Sequence, residues 1–145
     1  MPVVNVNSKA VLSDILQGLP SGQCKDYLIE VSPNDRLGEL AYYAHKKQQD
    51  GYKAYIEVKF ASKYSSREKR LEVVTIKDSI LCVYKISSLN RFDKDALELN
   101  RIVAEISEGN KIGYSVTGSL IMKRKDDIER AKELLKQMNI HINIE

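Results

Sequence analysis

Residues 52–60 alternate without a break. Tyr52, Ala54, Ile56, Val58 and Phe60 fall on one side of an extended chain, and Lys53, Tyr55, Glu57 and Lys59 on the other. Successive side chains of a strand point to opposite faces, so this run predicts a strand with one face in a core and the other open. The next apolar sets follow closely. Leu71, Val73, Val74 and Ile76 lie in a second strand over residues 70–77, and residues 80–86 are apolar on both faces, as in a central strand. Lys77-Asp78-Ser79 reads as a tight turn between these two. The three segments predict an antiparallel meander.

Helical spacing brackets the meander. In residues 8–19, Ala10, Val11, Leu12, Ile15, Leu16 and Leu19 share a stripe, with Asn7 or Ser8 as cap and Gly18 and Pro20 as stop. A short strand is expected over 27–31. A helix then buries Leu37, Leu40, Ala41 and Ala44 and ends near Gly51. Beyond the meander, Phe92, Ala96, Leu99, Val103 and Ile106 mark a helix with Asn90 as cap and Gly109 as stop. Residues 111–122 form another strand. Residues 125–138 form a helix burying Ile128, Ala131, Leu134, Leu135 and Met138, and Ile140, Ile142 and Ile144 a last strand. The expected order is α-β-α-β-β-β-α-β-α-β. The expected architecture is one α+β domain over residues 1–145: a mostly antiparallel sheet with helices mainly on one face.

Composition removes several classes. No apolar run approaches the ~20 residues of a membrane helix. The first residues lack a basic and an apolar signal region, and only two cysteines are present, Cys24 and Cys82, so a cytoplasmic protein with free thiols is expected. His45 and His141 stand apart, without the spacing a zinc site needs. No phosphate-binding glycine loop or nucleophile elbow occurs. No cofactor is expected. Asp93, Asp95, Asp126, Asp127, Glu129 and Glu133 are placed at helix starts or on exposed faces, outside the apolar context a catalytic acid needs.

The distribution of charge says more than the net +3. Residues 51–77 carry seven basic side chains against three acidic ones, residues 1–50 five against six, and residues 78–145 eleven of each. The whole basic excess therefore lies in one hairpin. Lys53, Lys59, Lys63, Arg67, Lys69 and Arg70 are candidate phosphate contacts, and Tyr55 and Tyr64 candidate stacking platforms. Lys123, Arg124 and Lys125 form a second basic cluster before the last helix. This combination points to a non-enzymatic protein that binds single-stranded DNA or RNA. A solvated hairpin with cross-strand pairs around Glu57 and Glu72 accounts for the same residues without a ligand.

Two other readings use different residues. A homodimer can form through the terminal strand 140–144 or through the small polar face Gly113, Ser115, Thr117 and Ser119. A metal-dependent nuclease would need Glu30, Glu57 and Lys59 in one cleft, on the strength of a Glu-x-Lys spacing alone.

Overall fold

The computed structural model describes residues 3–17, 25–32, 34–61, 68–109 and 113–145. Among them run β1 (Val3–Ser8), α1 (Leu12–Leu16), β2 (Lys25–Glu30), α2 (Arg36–Gln49), β3 (Lys53–Ala61), β4 (Glu68–Lys77), β5 (Ile80–Ser87), α3 (Phe92–Gly109), β6 (Ser115–Met122), α4 (Ile128–Met138) and β7 (Asn143–Ile144). The strands form one sheet in the order β2-β1-β3-β4-β5-β6-β7. The expected meander β3-β4-β5 is antiparallel, and so is β1 with β2. The β1/β3, β5/β6 and β6/β7 neighbours are parallel. No helix among the described residues is long and apolar enough to cross a membrane.

Two apolar layers cover the two faces. Strand β5 shows the division, because Leu81 and Val83 enter one layer while Cys82 and Tyr84 enter the other. The first layer is closed by three helices: Leu12 and Ile15 of α1, Phe92, Ala96, Leu99, Ile102 and Ile106 of α3, and Ala131 of α4. The second is closed by α2 through Leu40, Ala41 and Ala44. The α+β class is as expected, and three of the four helices share a face. At Gly118, an added Cβ would stand 2.8 Å from Val103 Cγ2, so α3 lies on the Gly118 side of β6. Ser115, Thr117 and Ser119 point away from that helix. Ser119 is buried and accepts the Cys82 thiol at 3.7 Å.

The element order departs from expectation at the start. A strand precedes the first helix, and Ser8 closes that strand instead of opening a helix. Val4 and Val6 are buried at period two, and β1 lies between β2 and β3, pairing with β2 along its length and with β3 at Asn7 and Ser8. The helix that follows has five residues, with Val11 at its cap and no side-chain hydrogen bond there. At the far end of the chain, a 3-10 turn at Leu89–Arg91 leads into α3, so Asn90 lies inside that turn and not at the cap. Leu37, expected in the buried stripe of α2, is 40% exposed.

The alternation of β3 also reads differently in three dimensions. Glu57 has a left-handed backbone with φ of 54°, and Lys9, level with it just past the end of β1, has φ of 61°. Such a residue turns the pleat over. Ala54 and Ile56 therefore face α2, whereas Val58 and Phe60 face the layer under α1 and α3. The inversion passes to β4, where Val73 faces α2 and Leu71 the other layer. The ladder keeps its register, with Ile56 opposite Val73 and Val58 opposite Leu71.

Candidate nucleic-acid interface

The inversion at Glu57 decides where the basic side chains of the hairpin go. Val58, Phe60 and Leu71 are buried in the α3-side layer. Lys59 and Arg70, directly opposite one another on the ladder, alternate with them and so face the α2 side. Arg70 lines a groove of about 430 Å³ with Lys9, Tyr27, Leu28, Arg36 and Glu57. Arg36 begins α2 and donates to Glu57 Oε1 at 3.0 Å. Lys9 Nζ lies 5.7 Å from the centre of the Tyr27 ring. Leu28, 77% exposed, and Leu37 add apolar surface. Lys9, Arg36 and Arg70 bring three positive charges here, and Glu57 offsets one; half-buried Lys59 borders a separate pocket with Leu12, Phe60 and Ile106.

The other candidates are distributed elsewhere. Lys53 is exposed but lies six residues from Lys59 along β3, about 20 Å of strand, and the inversion puts the two on opposite faces. Tyr55 is half-buried and packs against the α3-side layer. Lys69 sits opposite Phe60 and is half-buried. Lys63, Tyr64 and Arg67 lie outside the described residues, as does Cys24. Lys123, Arg124 and Lys125 are exposed where β6 gives way to α4, and the Lys123 N–H donates to the Ser87 carbonyl at 3.1 Å. Sequence reading missed Lys9, Tyr27 and Arg36, because only the β2-β1-β3 pairing and the start of α2 bring them to the hairpin.

A second lysine–tyrosine cluster sits at the other end of α2. Lys47 Nζ lies 5.5, 5.2 and 5.3 Å from the rings of Tyr43, Tyr52 and Tyr84. It also pairs with Glu145 Oε1 at 3.3 Å. The Tyr43 hydroxyl donates to Glu145 Oε2 at 2.6 Å, and Thr75 Oγ1 donates to the Tyr84 hydroxyl at 3.2 Å. Tyr43 and Tyr84 meet edge to face at 5.4 Å. Burial, then the Glu145 hydrogen bond and charge, push the Tyr43 phenol well above its ordinary range. Burial likewise pushes Tyr84 up, against the opposing hydrogen bond from Thr75. Only 17% of the Lys47 side chain is exposed. This cluster is closed.

The constellation required by the nuclease reading is not assembled. Glu30 pairs with Val3 at one end of β1, whereas Glu57 is level with Lys9 past the other end and is held by Arg36. No group of three or more His, Cys, Asp or Glu among the described residues is placed to hold a metal. One carboxylate differs from expectation: Asp95 is buried, because it falls on the same helical face as Phe92, Ala96 and Leu99. Compared with known proteins, the chain matches no family model, no curated protein and no solved structure.

Proposed function

We propose that the protein binds single-stranded nucleic acid at the groove where the β3–β4 hairpin meets the start of α2. The observation that carries this reading is the convergence of Arg70 with Lys9 and Arg36 beside Tyr27, with Lys59 opposite Arg70 on the ladder. Cations spaced along an open groove neutralise successive phosphates. An adjacent ring and exposed aliphatic side chains give unpaired bases a surface to stack on, at ~1–3 kcal/mol per base. The exposed Lys123, Arg124 and Lys125 provide a second cationic patch. Duplex has no free base faces to offer, so a single strand is preferred.

The test is fluorescence anisotropy with labelled single-stranded DNA, single-stranded RNA and duplex at two salt concentrations. Binding of a single strand that weakens steeply with salt supports the proposal. Equal binding of duplex and single strand removes the stacking role of Tyr27, and no binding at low salt removes the proposal. The homodimer reading through residues 140–144 has less in its favour, since Ile142 is buried and Ile140 and Ile144 pack against the chain's own core.

A further inference from the structure

Parallel strands β5 and β6 end side by side, with Ser87 opposite Met122, and α3 begins just after β5. Ligands of open α/β sheets bind in the crevice beyond such strand ends. Here that crevice is a polar cavity of about 110 Å³ bordered by Glu72, Lys85, Ser88, Arg91, Asp95 and Lys123. Asp95 reaches it from the first turn of α3, with its side chain 3% exposed. Its Oδ2 accepts the Ser87 hydroxyl at 2.7 Å. Among the described residues, no hydrogen-bond donor reaches Oδ1. The nearest cation, Lys85 Nζ, is 4.0 Å away and is shared with Glu98 at 3.8 Å. Glu72 enters from β4, its Oε2 accepting the Ile86 N–H at 3.1 Å.

A buried carboxylate oxygen without a hydrogen bond is costly. Its position says what would relieve it. Two carboxylates from separate elements border one small cavity, and Arg91 and Lys123 stand at the same opening. Magnesium-class cations are held by one or two carboxylates and completed by waters and phosphate oxygens, not by a full protein cage. We infer that this cavity takes a divalent cation of that class between Asp95 and Glu72, together with a phosphate group held by Arg91 and Lys123. The site is separate from the groove at Lys59 and Arg70 and does not depend on it.

Manganese is a suitable probe. Free Mn²⁺ is followed by electron paramagnetic resonance as the full chain is titrated, with and without inorganic phosphate or a short single-stranded oligonucleotide. One saturable site is expected, displaced by Mg²⁺ and tightened by at least one of the two phosphate sources. Tightening by inorganic phosphate identifies a free phosphate group as sufficient. Tightening by the oligonucleotide alone assigns the phosphate to a nucleic acid strand. Asp95→Asn keeps an acceptor for Ser87 and should weaken Mn²⁺ binding about tenfold or more, on the scale of losing a ligand contact. Glu72→Gln provides a second, independent variant, with circular dichroism confirming that each is folded. Arg91→Ala with Lys123→Ala should leave Mn²⁺ binding and remove the tightening. The inference is overturned if binding is not saturable, if both carboxylate variants bind like the native chain, or if neither phosphate source tightens the site.

Discussion

The protein builds two clusters of lysine and tyrosine at opposite ends of one helix, and they differ in what is left over. Around Lys47, three rings and the Glu145 carboxylate absorb the ammonium from several sides. Around Lys9, Arg36 and Arg70, one ring and one carboxylate face three cations at an open groove. Similar residue types therefore stabilise the fold in one place and remain available to a partner in the other. Lysine and tyrosine close together in a sequence do not distinguish the two uses. The balance of charge and the degree of closure do.

The comparison breaks if the closed cluster proves to bind or the open one proves to stabilise. The largest effect is expected at Lys47. Lys47→Ala removes contacts with three rings and strips Glu145 of its cation, which should cost about 2 kcal/mol in urea unfolding. Oligonucleotide affinity should stay within about twofold, since the lysine makes no groove contact. Next comes the pair Lys59→Ala with Arg70→Ala. Single-strand affinity should fall about tenfold at moderate salt, and the salt slope should become shallower by about 1.4, the share of two phosphate contacts. Unfolding should shift by less than about 1 kcal/mol, since Arg70 is exposed and Lys59 lies outside the apolar layers.

Tyr27→Ala sharpens the comparison on the open side. Losing one stacking surface should cost single-strand binding about 1 kcal/mol, while Tyr27→Phe retains it and duplex binding is unmoved. The smallest effect is on the closed side. Tyr43→Phe removes one hydrogen bond to Glu145, worth somewhat under about 1 kcal/mol with Lys47 still paired. Its pH dependence is more diagnostic. The phenols of Tyr43 and Tyr84 are raised above their ordinary value of 10 in the folded chain. The folded state then keeps protons that the unfolded state releases, so stability held below pH 10 declines as pH climbs beyond it. Denaturant titrations from pH 9 to 11 should show that decline, and a shallower one in Tyr43→Phe.

Much of the scaffold was legible. The meander, the four helices and the terminal strand follow from apolar spacing alone, because each buries one face against a continuous layer. Strand β1 was not, since Val3, Val4 and Val6 offered only a short run beside the stronger helical stripe that starts at Ala10. What settles the matter is pairing with β2 and β3, which no local pattern reports. The inversion at Lys9 and Glu57 was equally hidden. Neither residue is glycine or asparagine, so nothing local announces a left-handed backbone. That one conformation sends Lys59 to the α2 side and separates it from Lys53 and Tyr55. Asp95 is the opposite case. Its place three residues after Phe92 and four before Leu99 already put it on the buried stripe, and only the habit of assigning acids in a first turn to solvent concealed it. For the candidate site, the sequence pointed to the hairpin and to one cation of the groove, Arg70, with Lys59 opposite it on the ladder. Lys9, Tyr27 and Arg36 join them through tertiary pairing.

The most direct measurement is an anisotropy titration of one labelled single-stranded oligonucleotide against the native chain, Lys59→Ala with Arg70→Ala, and Lys47→Ala, at two salt concentrations. The expected result is salt-dependent binding by the native chain and by Lys47→Ala, with weaker binding and a shallower salt slope in the double variant. A double variant that binds with native affinity and native slope would contradict the assignment of the open groove as the binding surface.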